Sequence, residues 1–435
     1  MMTNSPTNWR QLLLMVTLTE LILGGGGRLL EMGPMTLRML LFGLTQLVIW
    51  TDIARGTFKA SSWHWTLLGS LAAVSAFSAF IGWNNGSDFK AIFTDIKPLL
   101  YWANLLFFAS QLSDYSHLQA IKKYMRWGTA LLTVAYLVLL IVWKSNLIDG
   151  WQMYLRLGPT DEFSFRGNLG FFYKGFVFIP VGIFFWMQQA GKLKYVIIGL
   201  MYLAVLFTFT RGLWLLLFCF LAIYVLIYNR KSVLGWLSMA FMILSIYALG
   251  LFVAQLETQT FREQQASLDA YKAAYQAQEL KPWQRDLSAR FSQGFEGREP
   301  SISSRLIMFE EVAREVSLTS LFLGHGFGQG VPSKPIHMEM SFLEIFHKQG
   351  LPGLVVWGWL FWQLCIGFYR ANGNSLVRVD YRSDAFVLFC ASQFFFGISL
   401  INPFINSPLG LGMLSISLLG LRLLAKPAKL QHETD

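Results

Sequence analysis

Long apolar stretches alternate with short polar connections along this chain, and one polar stretch is far longer than the others. A helix needs about twenty mostly apolar residues to cross a bilayer. The pattern predicts an all-α fold, a polytopic membrane bundle of about twelve transmembrane helices. The spans centred near Met15 and Phe107 are short and could be partly re-entrant. The predicted spans are centred near Met15, Leu44, Ala76, Phe107, Ala135, Pro180, Ala204, Ala222, Leu244, Trp359, Ala391 and Ser415.

The long polar stretch divides the chain into three parts. Residues 1–254 are predicted to form an N-terminal transmembrane bundle of about nine spans. Residues 255–348 form a large hydrophilic loop, predicted to be a helical cap. Residues 349–435 return to the membrane in about three spans and end in a polar tail.

Within the cap, the residue types predict helices separated by a loop. Residues 257–290 are rich in Gln, Ala, Glu and Lys, which favour helix. Residues 305–316 carry apolar side chains at helical spacing, so an amphipathic helix is predicted there. Residues 324–335 are broken by Gly and Pro and should be a loop. Residues 337–347 return to a helical pattern that leads into the next span.

Composition and charge support the membrane interpretation. The chain has 435 residues, 54% of them hydrophobic and 14% charged, whereas a soluble chain carries about 25% charged residues. The net charge of +10 comes mostly from Lys and Arg in short alternating loops, as the positive-inside rule predicts. Both termini are therefore predicted to be cytoplasmic, with the cap on the opposite face, the periplasm in a bacterium. Nucleic acid is not needed to explain the charge.

Three arginines on the predicted outer face are candidates for binding an anion. Arg211 lies between two adjacent spans, Arg166 precedes another span, and Arg305 lies at the predicted start of a cap helix. A charge this close to hydrocarbon is unfavourable unless it is paired. Arginine suits phosphate because its planar fork donates two hydrogen bonds and stays protonated. Binding to lipid headgroups is the structural alternative for each of them.

Histidines and glycines of the cap supply the other candidate site residues. His337 follows a Pro-containing loop just before the chain returns to the membrane, and an unperturbed histidine titrates near pH 6.5, which suits proton abstraction. An ordinary surface role is its alternative. His325 lies between glycines and could serve a tight turn or the substrate. Gly326 and Gly328 would allow the backbone to approach a sugar or phosphate closely.

Other chemistries find little support in the sequence. The spaced glycines at 324–328 follow no strand, so a nucleotide-binding fingerprint is rejected. Sequence spacings typical of a tightly held metal are absent from the outer face, so no metal site is predicted. Six carboxylates on that face could act as a base or bind a sugar, and the sequence does not rank them. They are Glu31, Asp88, Asp95, Asp149, Asp161 and Glu162.

These residues resemble the O-antigen ligase/polymerase superfamily of bacterial polytopic membrane glycosyltransferases. The family pattern is an arginine opening a helix, a glycine-rich turn, a histidine, and a Gly-Leu-Pro-Gly sequence that begins the next span. The family often has Asn after the histidine, where this chain has Met338. The matching features here are Arg305, Gly324, Gly326, Gly328, His337 and residues 350–353, with residues 210–212 resembling the family's Ser-Arg-Gly turn.

The resemblance implies a GT-C-like fold and a metal-independent, inverting transfer of a glycan from undecaprenyl diphosphate, without a cofactor. His337 would be the base, and Arg211 and Arg305 would clamp the departing diphosphate, with Arg166 added by position. The site would lie on the periplasmic face of the inner membrane. Ligation of O-antigen to lipid A–core in lipopolysaccharide assembly is the leading hypothesis. Alternatives are a polymerase that extends a growing glycan, and a transporter of the same lipid-linked glycan.

Overall fold

Helices dominate the computed structural model. It describes residues 9–28, 31–32, 35–145, 147–148, 162–166, 170–223, 244, 248, 300–335, 337–375 and 383–425. The helices are α1 Trp9–Leu23, α2 Leu37–Ala54, α3 Ser62–Asn84, α4 Phe89–Leu100, α5 Asn104–Gln111, α6 Tyr115–Lys144, α7 Phe178–Met187, α8 Leu193–Phe207, α9 Arg211–Ile223, α10 Pro300–Glu315, α11 Leu318–Leu323, α12 Ser341–Ala371, α13 Asp384–Ile398 and α14 Pro408–Leu424.

Strands are limited to two short antiparallel hairpins among the described residues. The first pairs β1 (Glu31–Met32) with β2 (Met35–Thr36), and the second pairs β3 (Phe163–Arg166) with β4 (Gly170–Tyr173). Such small hairpins cannot form a core of their own. The chain is therefore an all-α polytopic membrane protein, as the hydropathy pattern predicts.

Four of the described helices are long and apolar enough to cross a membrane, namely α2, α3, α6 and α12. Shorter apolar helices cover several other predicted spans, including those near Pro180, Ala391 and Ser415. The total of about twelve spans stays a prediction. The predicted helix at 257–290 and the boundary at 254 lie outside the described residues, as does nearly all of the span around Leu244.

The chain divides into two compact units. One consists of Met1–Leu137, Lys174–Ala204 and Met308–Asp435, and the other of Val138–Tyr173 and Val205–Ile307. In the first unit α12 packs against α3, α11, α13 and α14. The start of α12 therefore lies where the cap loop meets the bundle.

The segment predicted as a short span near Phe107 is divided in the structure. Asp88 caps α4 by accepting a hydrogen bond from the Ala91 N–H at 2.6 Å. A single 3₁₀ turn at Tyr101–Ala103 then joins α4 to α5, which has eight residues. The shortness anticipated from the sequence agrees with this break, and α4 carries Asp95 on its buried side.

The cap segment agrees with its predicted pattern except at the start of α12. The amphipathic helix predicted at 305–316 is α10, and residues 324–335 form a loop, as predicted. The helix predicted from His337 begins only at Ser341, so His337 lies in the irregular segment before it. Ser341 is held in place because its hydroxyl donates to the Asn402 carbonyl at 3.2 Å. Apolar spacing alone does not mark that starting point.

The return to the membrane is kinked at Gly350. Its backbone has φ 62° and ψ −157°, inside a helix that otherwise runs to Ala371. An added Cβ there would lie 2.6 Å from the Gly324 nitrogen, so glycine is required both for conformation and for space. The Gly-Leu-Pro-Gly sequence thus turns the chain between a cap segment and a membrane segment of α12.

The loop that carries Gly324, Gly326 and Gly328, called the glycine loop below, packs directly on the backbone of α3. Gly326 has φ +87°, and an added Cβ would lie 2.1 Å from the Gly82 nitrogen. The Phe327 N–H donates to the Ser78 carbonyl at 2.9 Å. The loop is therefore anchored to α3 by backbone contacts that no larger side chain would permit.

We expect Gly82→Ala to destabilise the protein by about 1–3 kcal/mol, the usual effect of overpacking. The new Cβ would lie 2.0 Å from the Phe327 carbonyl oxygen, which is backbone and cannot rotate away. Thermal unfolding of the purified protein in detergent measures the effect. Gly69→Ala, in the same helix with open space around it, is the matched control. Equal melting temperatures for both variants would contradict the packing.

Candidate functional site

A buried lysine joins two carboxylates at the start of α12. Glu344 and Lys348 are four residues apart and so share one face of the helix. The Lys348 Nζ lies 2.8 Å from Glu344 Oε1 and 2.8 Å from Asp95 Oδ1. The Lys348 side chain is 2% exposed. Two carboxylates from separate helices therefore neutralise one buried ammonium.

Asp95 is fixed from both sides. Its Oδ2 accepts a hydrogen bond from the Gly328 N–H at 2.7 Å, while its Oδ1 binds Lys348. Burial raises the pKa of the Asp95 carboxyl above its usual range, and the Lys348 ammonium and the Gly328 N–H oppose that rise. The glycine loop, α4 and α12 thus meet at this one carboxylate.

His337 lies on the open side of this cluster. Its Nδ1 is 3.6 Å from Asp95 Oδ1 and 3.7 Å from Glu344 Oε1, while 53% of its side chain is exposed. A carboxylate facing Nδ1 favours the tautomer with the proton on that nitrogen. The Nε2 lone pair is then free to accept a proton from a group arriving from outside.

A cavity that is open to solvent lies beside the cluster. Asn406 lines it and donates from Nδ2 to Glu344 Oε2 at 3.0 Å. Ser341 in turn donates to Asn406 Oδ1 at 3.1 Å. The cavity lining is Asp95, Pro98, Leu99, Phe327, His337, Glu344, Ile345, Lys348, Gln349 and Asn406.

The donor atoms of Asp95, His337 and Glu344 lie within 4.8 Å of one another, a spacing that could hold a cation. The carboxylate oxygens closest to His337 are the same two that bind Lys348. The lysine ammonium therefore already supplies a positive charge between them. This arrangement suits an imidazole that gains a proton, because both carboxylates would stabilise the imidazolium.

The four predicted histidine and glycine site residues of the cap have different surroundings in the structure. His337 faces the cavity, and Gly328 reaches Asp95 through its N–H. Gly326 does not line the cavity. Because it has no side chain, its backbone can contact the backbone of Gly82. The ring of His325 lies 4.4 Å from the ring of His347, centroid to centroid.

The three predicted arginines belong to the second compact unit. Arg211 is the first residue of α9, directly after a turn in which Phe209 has φ 49°. Arg166 ends β3, and the described side chains include neither Arg166 nor Arg211. Arg305 lies in the second turn of α10, not at its start, and is partly buried. The convergence of these arginines on His337 stays a prediction.

Two residues of the cluster were not singled out from the sequence, namely Glu344 and Lys348. An acidic and a basic residue four apart normally form an exposed helix pair. Their position at the start of an apolar span was the available signal, since a charged pair there is expected to be buried or functional. Asp95 was one of six candidate carboxylates. What distinguishes it from the other five is its contact with Lys348, a residue distant in the sequence.

Two comparisons with known proteins bear on this site. Residues 196–358 match the family model described as O-antigen ligase, and this segment contains Arg211, Arg305, His337 and Lys348. The chain is also 25% identical over 407 residues to an O-antigen polymerase of Shigella flexneri. That alignment covers 92% of this chain and 91% of the relative.

Proposed function

Since the chain belongs to the O-antigen ligase/polymerase superfamily, we propose that it transfers a glycan from a polyprenyl diphosphate to an acceptor hydroxyl. The donor implied by the resemblance is linked to undecaprenyl diphosphate. The reaction would take place at the periplasmic face of a bacterial inner membrane. The observation that carries the proposal is the exposed His337 imidazole, whose Nδ1 faces two buried carboxylates held by Lys348.

His337 is proposed as the general base. The acceptor hydroxyl would donate its proton to Nε2 as its oxygen attacks the anomeric carbon of the donor. Asp95 and Glu344 would orient the ring and stabilise the imidazolium that forms. Because attack comes from the face opposite the leaving diphosphate, one such displacement inverts the anomeric configuration.

Arg211 and Arg305 are proposed to stabilise the departing diphosphate, with Arg166 as a further candidate. Arg211 opens α9, so the first backbone N–H groups of that helix also point to its N-terminal side. A helix N-terminus and a guanidinium together favour a phosphate oxygen. The transfer needs no metal in this scheme, since fixed cations meet the developing charge.

The acceptor is proposed to be a growing glycan, which makes the protein an O-antigen polymerase. The relative named as a polymerase aligns over nearly its full length and nearly all of this chain. Ligation to lipid A–core, the expectation from the sequence, is the second candidate. It is favoured by the description of the family that matches residues 196–358.

The product formed by the purified protein distinguishes these candidates. We expect that undecaprenyl-diphosphate-linked repeat units alone are converted into a ladder of longer lipid-linked chains, visible by gel electrophoresis and mass spectrometry. A product that requires lipid A–core and is attached to it would identify a ligase. If no new glycosidic bond forms with either acceptor, the transferase proposal is wrong. Movement of the donor across proteoliposome membranes would then support the transporter alternative.

A further inference from the structure

A second group of histidine and carboxylate side chains lies beside the site just described. Glu315 ends α10, His325 lies in the glycine loop, and His347 lies in α12. One ligand atom from each lies within 4.8 Å of the others. We propose that these three residues bind a divalent transition metal, of which Zn²⁺ is the best match.

The buried imidazole of His347 is the observation that points to a ligand. Its side chain is 1% exposed, and neither ring nitrogen has a hydrogen-bond partner within 3.5 Å among the described residues. Buried polar nitrogens are normally satisfied. The His347 Nε2 faces Glu315 Oε2 at 3.8 Å, and the Gly330 backbone also interacts with the ring. A metal between the ring and the carboxylate would satisfy the first nitrogen, and a carbonyl commonly satisfies the second.

Backbone hydrogen bonds fix the positions of His325 and His347 relative to each other. The His325 N–H donates to the His347 carbonyl at 2.8 Å, and the Gly326 N–H donates to the Lys348 carbonyl at 3.0 Å. On its other side the His325 carbonyl accepts from Asn85 Nδ2 at 2.9 Å. Because the two backbones are paired, the two imidazoles are held side by side, with their ring centroids 4.4 Å apart.

The donor set selects the class of metal. Two imidazoles and one carboxylate form a set that Zn²⁺ uses, with a fourth position left for water. Ca²⁺ and Mg²⁺ prefer oxygen ligands throughout and would bind more weakly here. Glu315 contributes a negative charge, and the nearby Lys348 ammonium is neutralised by Asp95 and Glu344. The local charge therefore does not oppose a dication.

A bound ion would connect the glycine loop to α10 and α12. The same loop carries Gly328, whose N–H binds Asp95. The metal would thus stabilise the position of the loop that orients Asp95, without taking part in glycan transfer. The metal content of the protein can be measured independently of glycan transfer.

The test uses the full-length protein in detergent, stripped with a chelator and then dialysed against Zn²⁺. We expect one Zn²⁺ per chain by elemental analysis, a higher melting temperature with Zn²⁺, and visible absorption bands when Co²⁺ replaces it. Glu315→Gln removes a partly exposed ligand with little risk to folding, and should weaken Zn²⁺ binding by at least about tenfold. His347→Ala should abolish it.

The matched control is His117→Ala, which removes a histidine paired with Asp114 at the start of α6. That variant should bind Zn²⁺ as the wild type does. Wild-type protein that retains no more Zn²⁺ than a buffer blank would overturn the proposal. Unchanged Zn²⁺ binding by folded Glu315→Gln and His347→Ala proteins would overturn it as well.

Discussion

Replacing His337 with alanine should lower the rate of glycan transfer by about 10²–10⁴, the usual contribution of a general base. The acceptor hydroxyl would lose the only imidazole that lines the described cavity. Because the His337 side chain is 53% exposed, its removal should leave the fold intact. Transfer is measured with purified protein and lipid-linked repeat units, alongside the melting temperature.

Glu339→Gln is the matched control for this variant. Glu339 lies two residues further along the same segment, pairs with Lys334 at the surface, and does not line the cavity. It should transfer glycan at close to the wild-type rate. Added imidazole should restore part of the activity to His337→Ala, as expected for a missing base but not for a misfolded cap. Full activity in His337→Ala would show that the base lies elsewhere.

The helical membrane class could be predicted from the sequence because it depends on local pattern. Twenty-residue apolar runs predict spans without knowledge of their partners. The same holds for α10, whose apolar residues repeat at helical spacing. In each case the signal lies within one turn or one helix of the chain.

The partners of His337 could not be predicted in this way. Asp95 is 253 residues from Lys348, and nothing local distinguishes it from the other outer-face carboxylates. Gly328 was predicted to lie close to a substrate, and the contact of its N–H with Asp95, seen in the structure, was not predicted. Its role depends on how the loop packs against α3 and α4. Ranking such residues requires the contacts between elements that are distant in sequence.

The proposed metal ligands could not be predicted from the sequence either. Glu315, His325 and His347 come from two helices and a loop, at spacings that match no short metal-binding motif. From the sequence no metal was expected on this face. The grouping arises because the glycine loop pairs by backbone with α12, so His325 comes to lie beside His347.

Replacing Lys348 with methionine should produce the largest loss of stability. Methionine matches the apolar stem of lysine but leaves Asp95 and Glu344 buried without their shared cation. Breaking a buried ion pair by removing one partner typically costs about 3–5 kcal/mol. Lys334→Met is the matched control, since that lysine is 36% exposed and a surface pair is worth at most about 1 kcal/mol. Chemical unfolding in detergent compares the two.

The loss of stability in Lys348→Met should also depend on pH. Without the ammonium, the pKa of the Asp95 carboxyl should rise further than burial already raises it. A carboxyl whose pKa is raised by folding holds its proton longer in the folded state, so stability falls as pH rises through that range. The deficit of Lys348→Met relative to wild type should therefore grow from acidic to neutral pH.

Neutralising both carboxylates tests whether charge is the cause. In a Lys348→Met protein that also carries Asp95→Asn and Glu344→Gln, no buried charge remains unpaired. The amide oxygens can still accept from Gly328 and Asn406. Stability should recover toward wild type, whereas glycan transfer should stay low because His337 has lost both carboxylates. A triple variant as unstable as Lys348→Met would mean that lysine packing, not its charge, holds α4 to α12.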